Sequence, residues 1–222
     1  MIESLFPNVN WESMGEAALE TIYMSAIAVT ATFILGTLLG LILFLTDKGN
    51  LWQNRSIHAV VAAVVNVFRS IPFIILIILL IPFTNFILNT MLGPSAALPA
   101  LIAGAAPFYA RMVEIGLREV DKGVIEAAQS MGAGQWNIIS KVLLPESMPA
   151  LISGITVTSI ALVSYTAMAG VIGAGGLGDL AYREGYQRMA TDVIVVATAA
   201  ILLIVFLLQL LGDWLTYKTD KR

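Results

Sequence analysis

The sequence predicts an all-α, polytopic membrane protein with five transmembrane helices. Three observations carry that expectation. Hydrophobic residues make up 58% of the 222 positions and charged ones only 12%, about half the share usual in a soluble domain. Four runs, 22–45, 70–92, 147–169 and 193–212, hold no charged side chain. Each matches the roughly 20 apolar residues that a helix rising 1.5 Å per residue needs to cross about 30 Å of hydrocarbon.

Taken in order, the spans are expected at 20–46, 57–82, 94–114, 147–170 and 192–214, forming one domain over 1–222. The second span starts ahead of its charge-free run and so encloses Arg69, with Pro72 close behind. The third is short and interrupted by proline, and it extends through Arg111 and Met112 towards an interface. Periodicity adds little, because these helices are apolar nearly all round.

Five crossings put the two ends on opposite sides, and the cations decide which is which, since cytoplasmic loops carry an excess of Lys and Arg. The opening segment has Glu3, Glu12, Glu16 and Glu20 and no cation. With that end outside, Lys48, Arg55, Arg111, Arg118, Lys122, Lys141, Lys218, Lys221 and Arg222 fall inside, and only Arg183 and Arg188 fall outside. The expected localisation is a bacterial plasma membrane, N-terminus out and C-terminus in. With no cation ahead of the first apolar run, no cleavable signal peptide is expected.

Composition also excludes chemistries. There is no Cys, so neither disulfides nor thiolate metal sites are available. His58 is the sole histidine and cannot build a metal centre or a Ser-His-Asp triad by itself. A net charge of −3 gives no reason to expect nucleic acid. No G-x-x-x-x-G-K-[ST] loop is present, so this chain does not bind ATP that way. No cofactor and no enzymatic activity are expected.

The polar stretch EAAQSMGAGQWNIISKVLLPESMP, 126–149, stands out between two apolar runs. It belongs to the longest cytoplasmic segment, 115–146. A short helix is expected over 124–131, ended by Gly132, since glycine suits the left-handed position past a helix end. A second, over 135–144, is expected to stop at Pro145. Ala127 and Ala128 leave one face without bulk, and the carboxylate of Glu126 can cap the helix or meet a partner's cation.

Glu126, Ala127, Ala128, then Gly132, Val142, Leu144 and Pro145 reproduce the spacing of the cytoplasmic signature of ABC-importer permeases, with Val142 where Ile is commoner. The chain resembles that family, and stretches 64–76, 104–133 and 164–188 are similar to its bacterial methionine-uptake members. The resemblance implies a type I ABC-importer permease fold in which the first short helix couples to a cytoplasmic ATPase. It implies a homodimer, two cytoplasmic ATP-binding subunits, an extracytoplasmic substrate-binding protein, and methionine as the small-molecule substrate. Related permeases for polar amino acids, osmoprotectants or phosphonates share the signature and remain the alternative. An ion-driven secondary transporter, the alternative of another class, would favour acidic groups within the spans, and the apolar cores offer only Arg69.

Single residues add detail. Arg69, costly inside a span unless paired or hydrated, either snorkels or makes a gating contact, with freed carbonyls near Pro72 or with Glu114. Tyr165 and Met168 lie three apart on one face of the fourth span, which lines the path in the family; Met168 is a candidate gate, its flexible thioether a reversible plug. Gly173, Gly175 and Gly176 fit a dinucleotide-binding pattern, but behind an apolar helix and without a βαβ unit. They are expected to turn the chain at the outer mouth and, with Arg183, Glu184, Tyr186 and Arg188, to help dock the binding protein. Glu114 and Arg118, four apart, suggest an exposed pair worth a few tenths of a kcal/mol. Gly36 and Gly40 permit close helix approach, a dimer contact being one use. His58 has no assigned role.

Overall fold

The structure, a computed structural model, describes residues 6–220; Glu3, Lys221 and Arg222, counted above for orientation, lie outside them. All regular structure among the described residues is helical. Helix α1 is Trp11–Thr46, α2 Arg55–Ser70, α3 Phe73–Leu88, α4 Pro94–Arg118 and α5 Lys122–Ser130. Helix α6, Gln135–Ile138, passes through a wide π turn, Ile139–Leu143, into α7, Leu144–Val171. Helix α8, Gly176–Leu180, runs into a second π turn, Ala181–Tyr186, ahead of α9, Thr191–Thr219. By length and composition α1, α4, the continuous run Gln135–Val171 and α9 can each cross a membrane, and α2 with α3 supplies a fifth crossing if the pair is one broken span.

Several boundaries differ from expectation for identifiable reasons. Asn10 caps α1, its Oδ1 accepting from the amides of Glu12 (3.0 Å) and Ser13 (3.1 Å). Glu12, Glu16 and Glu20 are therefore helical and lead directly into the first span. The second expected span is broken at Ile71 and Pro72. Proline has no N–H and forces the residue before it towards extended backbone, so α2 ends there. Arg69 consequently sits in the last turn of α2, exposed, instead of deep within one helix. Helix α4 runs unbroken through its prolines. Pro145 does not stop a helix either. The turn before it closes from the Leu144 amide to the Ile139 carbonyl, five residues back. That widened turn absorbs the bond proline cannot make, a frequent use of π geometry.

The chain forms two compact units. The first comprises residues up to Ala31, Ile71–Gly104 and Ser159–Gln209. Its core joins Met14 and Ala17 of α1 to Leu177 and Leu180 of α8 and Val193 and Ala197 of α9. Outside this core Asp192 accepts from the Asn8 amide (2.9 Å) and side chain (3.1 Å).

The second unit comprises Thr32–Ser70, Ala105–Thr158 and the chain from Leu210 on. Tyr109, Val113 and Leu117 of α4 pack with Phe44 and Leu45 of α1 and with Ile139, Leu143 and Leu151. Tyr109, fully buried, donates its hydroxyl to the Leu151 carbonyl at 3.1 Å. The glycines of α1 serve this packing. A Cβ on Gly36 would stand 2.6 Å from the Tyr109 ring, and one on Gly40 2.6 Å from the Ala110 carbonyl. The two glycines admit α4 of the same chain, which fills the face considered above for a dimer contact. His58 also acquires a role: its Nδ1 lies 3.1 Å from the Leu43 carbonyl, a bond that requires the hydrogen on Nδ1 because the carbonyl can only accept.

Candidate functional site: an elbow between two helices

The signature residues fall on α5, the turn after it, and the start of the run leading to α7. Asp121, not Glu126, caps α5: its Oδ1 accepts from the Gly123 amide at 2.7 Å. Glu126 is thus a mid-helix residue, and its carboxylate is exposed. Ala127 is exposed beside it, whereas Ala128 is buried against the body of the unit. Small size suits the packing inward at Ala128, and at Ala127 it leaves the exposed face without bulk.

Gly132 closes α5 by backbone geometry. Its φ is +80°, a conformation costly for any residue with a Cβ. The Gly132 amide donates to Gln129 O at 2.9 Å, and the Ala133 amide donates to Ala128 O at 3.1 Å. These two bonds satisfy carbonyls that the helix end leaves open, the Schellman arrangement. The chain then restarts at Gln135, with Val142 and Leu144 half-buried and Pro145 exposed beyond the π turn. Met131 and Trp136, 82% and 70% exposed, flank the elbow with Val124 as apolar side chains free of the chain's own core.

Behind the elbow, charge is concentrated and paired. Glu114 of α4, 1% exposed, takes Arg111 Nη1 on one oxygen at 2.5 Å and Arg118 Nη2 on the other at 2.6 Å. Arg118 also reaches Asp47 at 2.9 Å. The Glu114–Arg118 pair is therefore half of a bridge whose carboxylate is buried, not the exposed pair the spacing suggested. It also leaves Glu114 committed to partners other than Arg69. An open hollow of about 590 Å³ lies between α5 and the α1–α2 loop, lined by Asp47, Lys48, Lys122, Glu126, Gln129 and Gln135 among others.

In the first unit the Gly-rich turn is held from within. Gly173, Gly175 and Gly176 all have φ between +78° and +92°. Glu20 Oε2 accepts from the Gly176 amide at 2.7 Å, and Thr21 Oγ1 accepts from the Leu177 amide at 2.9 Å. Gly175 and Gly176 thus face helix α1 of their own chain. Of the residues considered for docking, Arg183, Tyr186 and Arg188 are the exposed ones, and Arg183 is also paired with Asp179 at 2.7 Å. Tyr165 of α7 stacks on Phe73, ring centroids 4.4 Å apart and planes 3° from parallel. Met168, one turn on, is 43% exposed. Among the described residues no three His, Asp or Glu side chains converge as a metal site.

An all-helical, multi-pass chain that carries this elbow at the signature spacing is a membrane component of solute transport. It belongs to the family described as binding-protein-dependent transport system inner membrane component, which matches residues 36–222. The methionine import system permease protein MetP of Bacillus subtilis is 63% identical over 222 residues, all of both chains. A probable D-methionine transport system permease protein, MetI, of Pasteurella multocida is 47% identical over 96% of this chain and 98% of its own. The permease of an inward-facing MetNI methionine ABC transporter superposes with a TM-score of 0.92 at 41% identity, over 94% of this chain and 97% of its own. An amino acid ABC transporter, at 18% identity over 93% of this chain and 94% of its own, shares the fold with a TM-score of 0.77. The type I ABC-importer permease fold expected from the sequence is the fold observed.

Proposed function

We propose that this chain is the membrane subunit of an ATP-driven importer that brings methionine into the cell. The observation that carries the substrate is the 63% identity, over the entire length of both chains, to a methionine import permease. Two copies pair to enclose the path. Two cytoplasmic ATP-binding subunits engage the α5 elbow of each copy, and an extracytoplasmic binding protein delivers substrate to the outer mouth, meeting Arg183 and Tyr186. The termini lie as the cations direct, N-terminus outside. The chain supplies a gate and a mechanical linkage, and ATP hydrolysis resides on the partner.

The elbow fits this task. A capped helix with an exposed Glu126, an unbulky Ala127 and flanking Met131 and Trp136 offers one charged anchor among apolar contacts, as protein interfaces do. Dimerisation of the ATPases then moves two such elbows as rigid bodies. The acidic groups buried here, Glu114 and Asp179, are each held by arginine, an arrangement for fixed structure more than for the proton relay of an ion-driven carrier.

Methionine uptake by cells expressing the chain with its ATPase and binding protein, and co-purification of that ATPase, test the proposal together. Glu126→Lys reverses the anchor's charge and is expected to abolish both. Retained co-purification and uptake in that variant would remove the elbow from the mechanism.

A further inference from the structure

The α1–α2 loop, 47–54, is joined by polar clasps to the end of α4 and to the start of α6, where Gln135 Nε2 also donates to Leu51 O at 3.5 Å. At one, Asp47 Oδ2 accepts from Arg118 Nη2 at 2.9 Å. At the other, the Trp52 indole Nε1–H donates to Gln135 Oε1 at 3.0 Å. Gln135 is the first residue of α6, immediately beyond the Gly132 turn. Between the clasps lies the open hollow, so α5 and this loop face each other across space over much of their length.

The loop itself is braced. The Trp52 amide donates to Leu45 O at 2.9 Å and the Asn54 amide to Thr46 O at 3.0 Å. Asn50 Nδ2 donates to Phe44 O at 2.5 Å, and the Gly49 amide to Gln53 Oε1 at 3.0 Å. Leu51 packs on the cluster of Phe44, Leu45, Ile139 and Leu143. Asn54 then caps α2 through its Oδ1, bonded to the Ser56 and Ile57 amides at 3.1 Å. A loop fixed in this way to the end of α1 and the start of α2 transmits displacement instead of absorbing it.

We infer that the 47–54 loop is a second limb of the coupling linkage, Trp52 and Asp47 being positioning residues that carry motion of the elbow into helices α1 and α2. This rests on the docking of α5 on an ATPase proposed above. Without the clasps, the ATPase still moves α5 and the run Gln135–Val171, but α1 and α2 follow less faithfully. ATP is then hydrolysed with less solute moved.

The test uses the complete transporter in proteoliposomes. Trp52→Phe removes the N–H donor and keeps the ring, and Asp47→Ala removes the acceptor that meets Arg118 while leaving Glu114 its arginines. Each is expected to lower the solute moved per ATP by about fivefold, the factor one hydrogen bond commands, with the ATPase still co-purifying at parental yield. Because the chain has no Cys, the pair Trp52→Cys and Gln135→Cys, introduced beside Asp47→Ala, supplies this chain's only thiols for a short bifunctional thiol reagent. Cross-linking is expected to restore the ratio, which a role confined to folding does not explain. An unchanged ratio in the single variants, a cross-link that restores nothing, or loss of the ATPase from either variant overturns the inference. Failure of the unsubstituted chain to hold its ATPase would instead refute the docking proposal, so the two are told apart.

Discussion

Glu114 and Arg118, one turn apart on α4, form a bridge 2.6 Å long whose acid end is buried and whose basic end is half in water. The same carboxylate holds Arg111 at 2.5 Å. Glu114→Gln keeps the shape but removes the charge that both guanidinium groups share. Removing one partner of a fully buried pair costs about 3–5 kcal/mol. Here water can solvate the released arginines, so a loss of about 1–3 kcal/mol is expected, the value for hydrogen bonds to charged groups. Arg111→Ala should cost less, because Arg118 stays on the acid. Thermal unfolding of the purified chain in detergent ranks the two variants, and equal midpoints for Glu114→Gln and the parent would contradict the bridge's role.

The Gly132 turn separates backbone strain from packing. No atom lies within 4 Å of a Cβ built there, but φ is +80°. Gly132→Ala is therefore expected to destabilise the elbow by about 1–2 kcal/mol through conformation alone, and Gly132→Asn by less, since Asn tolerates the left-handed region. Gly134 is the internal control. It too has open space around it, with φ −66° and ψ 153°; Ala caps a helix less well than Gly but gives up less chain entropy on folding, so Gly134→Ala should cost less than Gly132→Ala. Hydrogen exchange of the α5 amides reads the local loss directly.

Much of this architecture is written in side-chain polarity. Charge-free runs mark α1, α7 and α9, because lipid leaves no other solvent for them, and Gly132 announces its turn because few residues accept positive φ. What polarity does not encode is where a helix tolerates proline. Pro72 breaks a span while Pro145 passes through one, and the difference is a π turn set by tertiary packing of Ile139 and Leu143. Pairing is equally hidden. The i,i+4 spacing of Glu114 and Arg118 is the same on a wet helix as on a buried one, and only the burial of Glu114 and the approach of Asp47, both products of the fold, distinguish them. Gly36 and Gly40 show a close approach without saying whose helix approaches.

Arg69 closes α2 next to the break at Pro72, exposed. If its cation contributes to the path, Arg69→Ala should cut uptake several-fold more than Arg69→Lys, which retains a charge on a long apolar stem. Wild-type uptake by both variants would assign Arg69 to interfacial anchoring alone.

The Gly-rich turn offers a sharper contrast of strain and space. Gly176 has φ +81°, is buried, and a Cβ there would stand 2.7 Å from Thr21 Oγ1. Gly49, with φ +85°, has open space around it. Gly176→Ala should therefore be distinctly worse than Gly49→Ala, which adds only the strain of about 1–2 kcal/mol. Glu20→Ala strands the Gly176 amide and is expected to cost about 1–3 kcal/mol, whereas Glu20→Gln keeps an acceptor and should cost less. Unfolding midpoints of the four variants check this order, and parity of Gly176→Ala with Gly49→Ala would mean that Thr21 yields freely to the added methyl.

Met168 lies one turn from Tyr165, whose stacking on Phe73 fixes that face of α7. Met168 itself is 43% exposed, so its side chain has room that its stacked neighbour lacks. A mobile apolar side chain beside a fixed aromatic suits a plug that closes against its copy in a paired permease. Met168→Ala is expected to raise the basal ATP hydrolysis of the assembled transporter, or its passive leak, with little effect on the unfolding midpoint, because little packing is lost. Met168→Leu, of similar volume, should restore the resting state. Basal hydrolysis and leak both at the parental level in Met168→Ala would make the residue a lipid-facing or packing contact and move the gate elsewhere along α7.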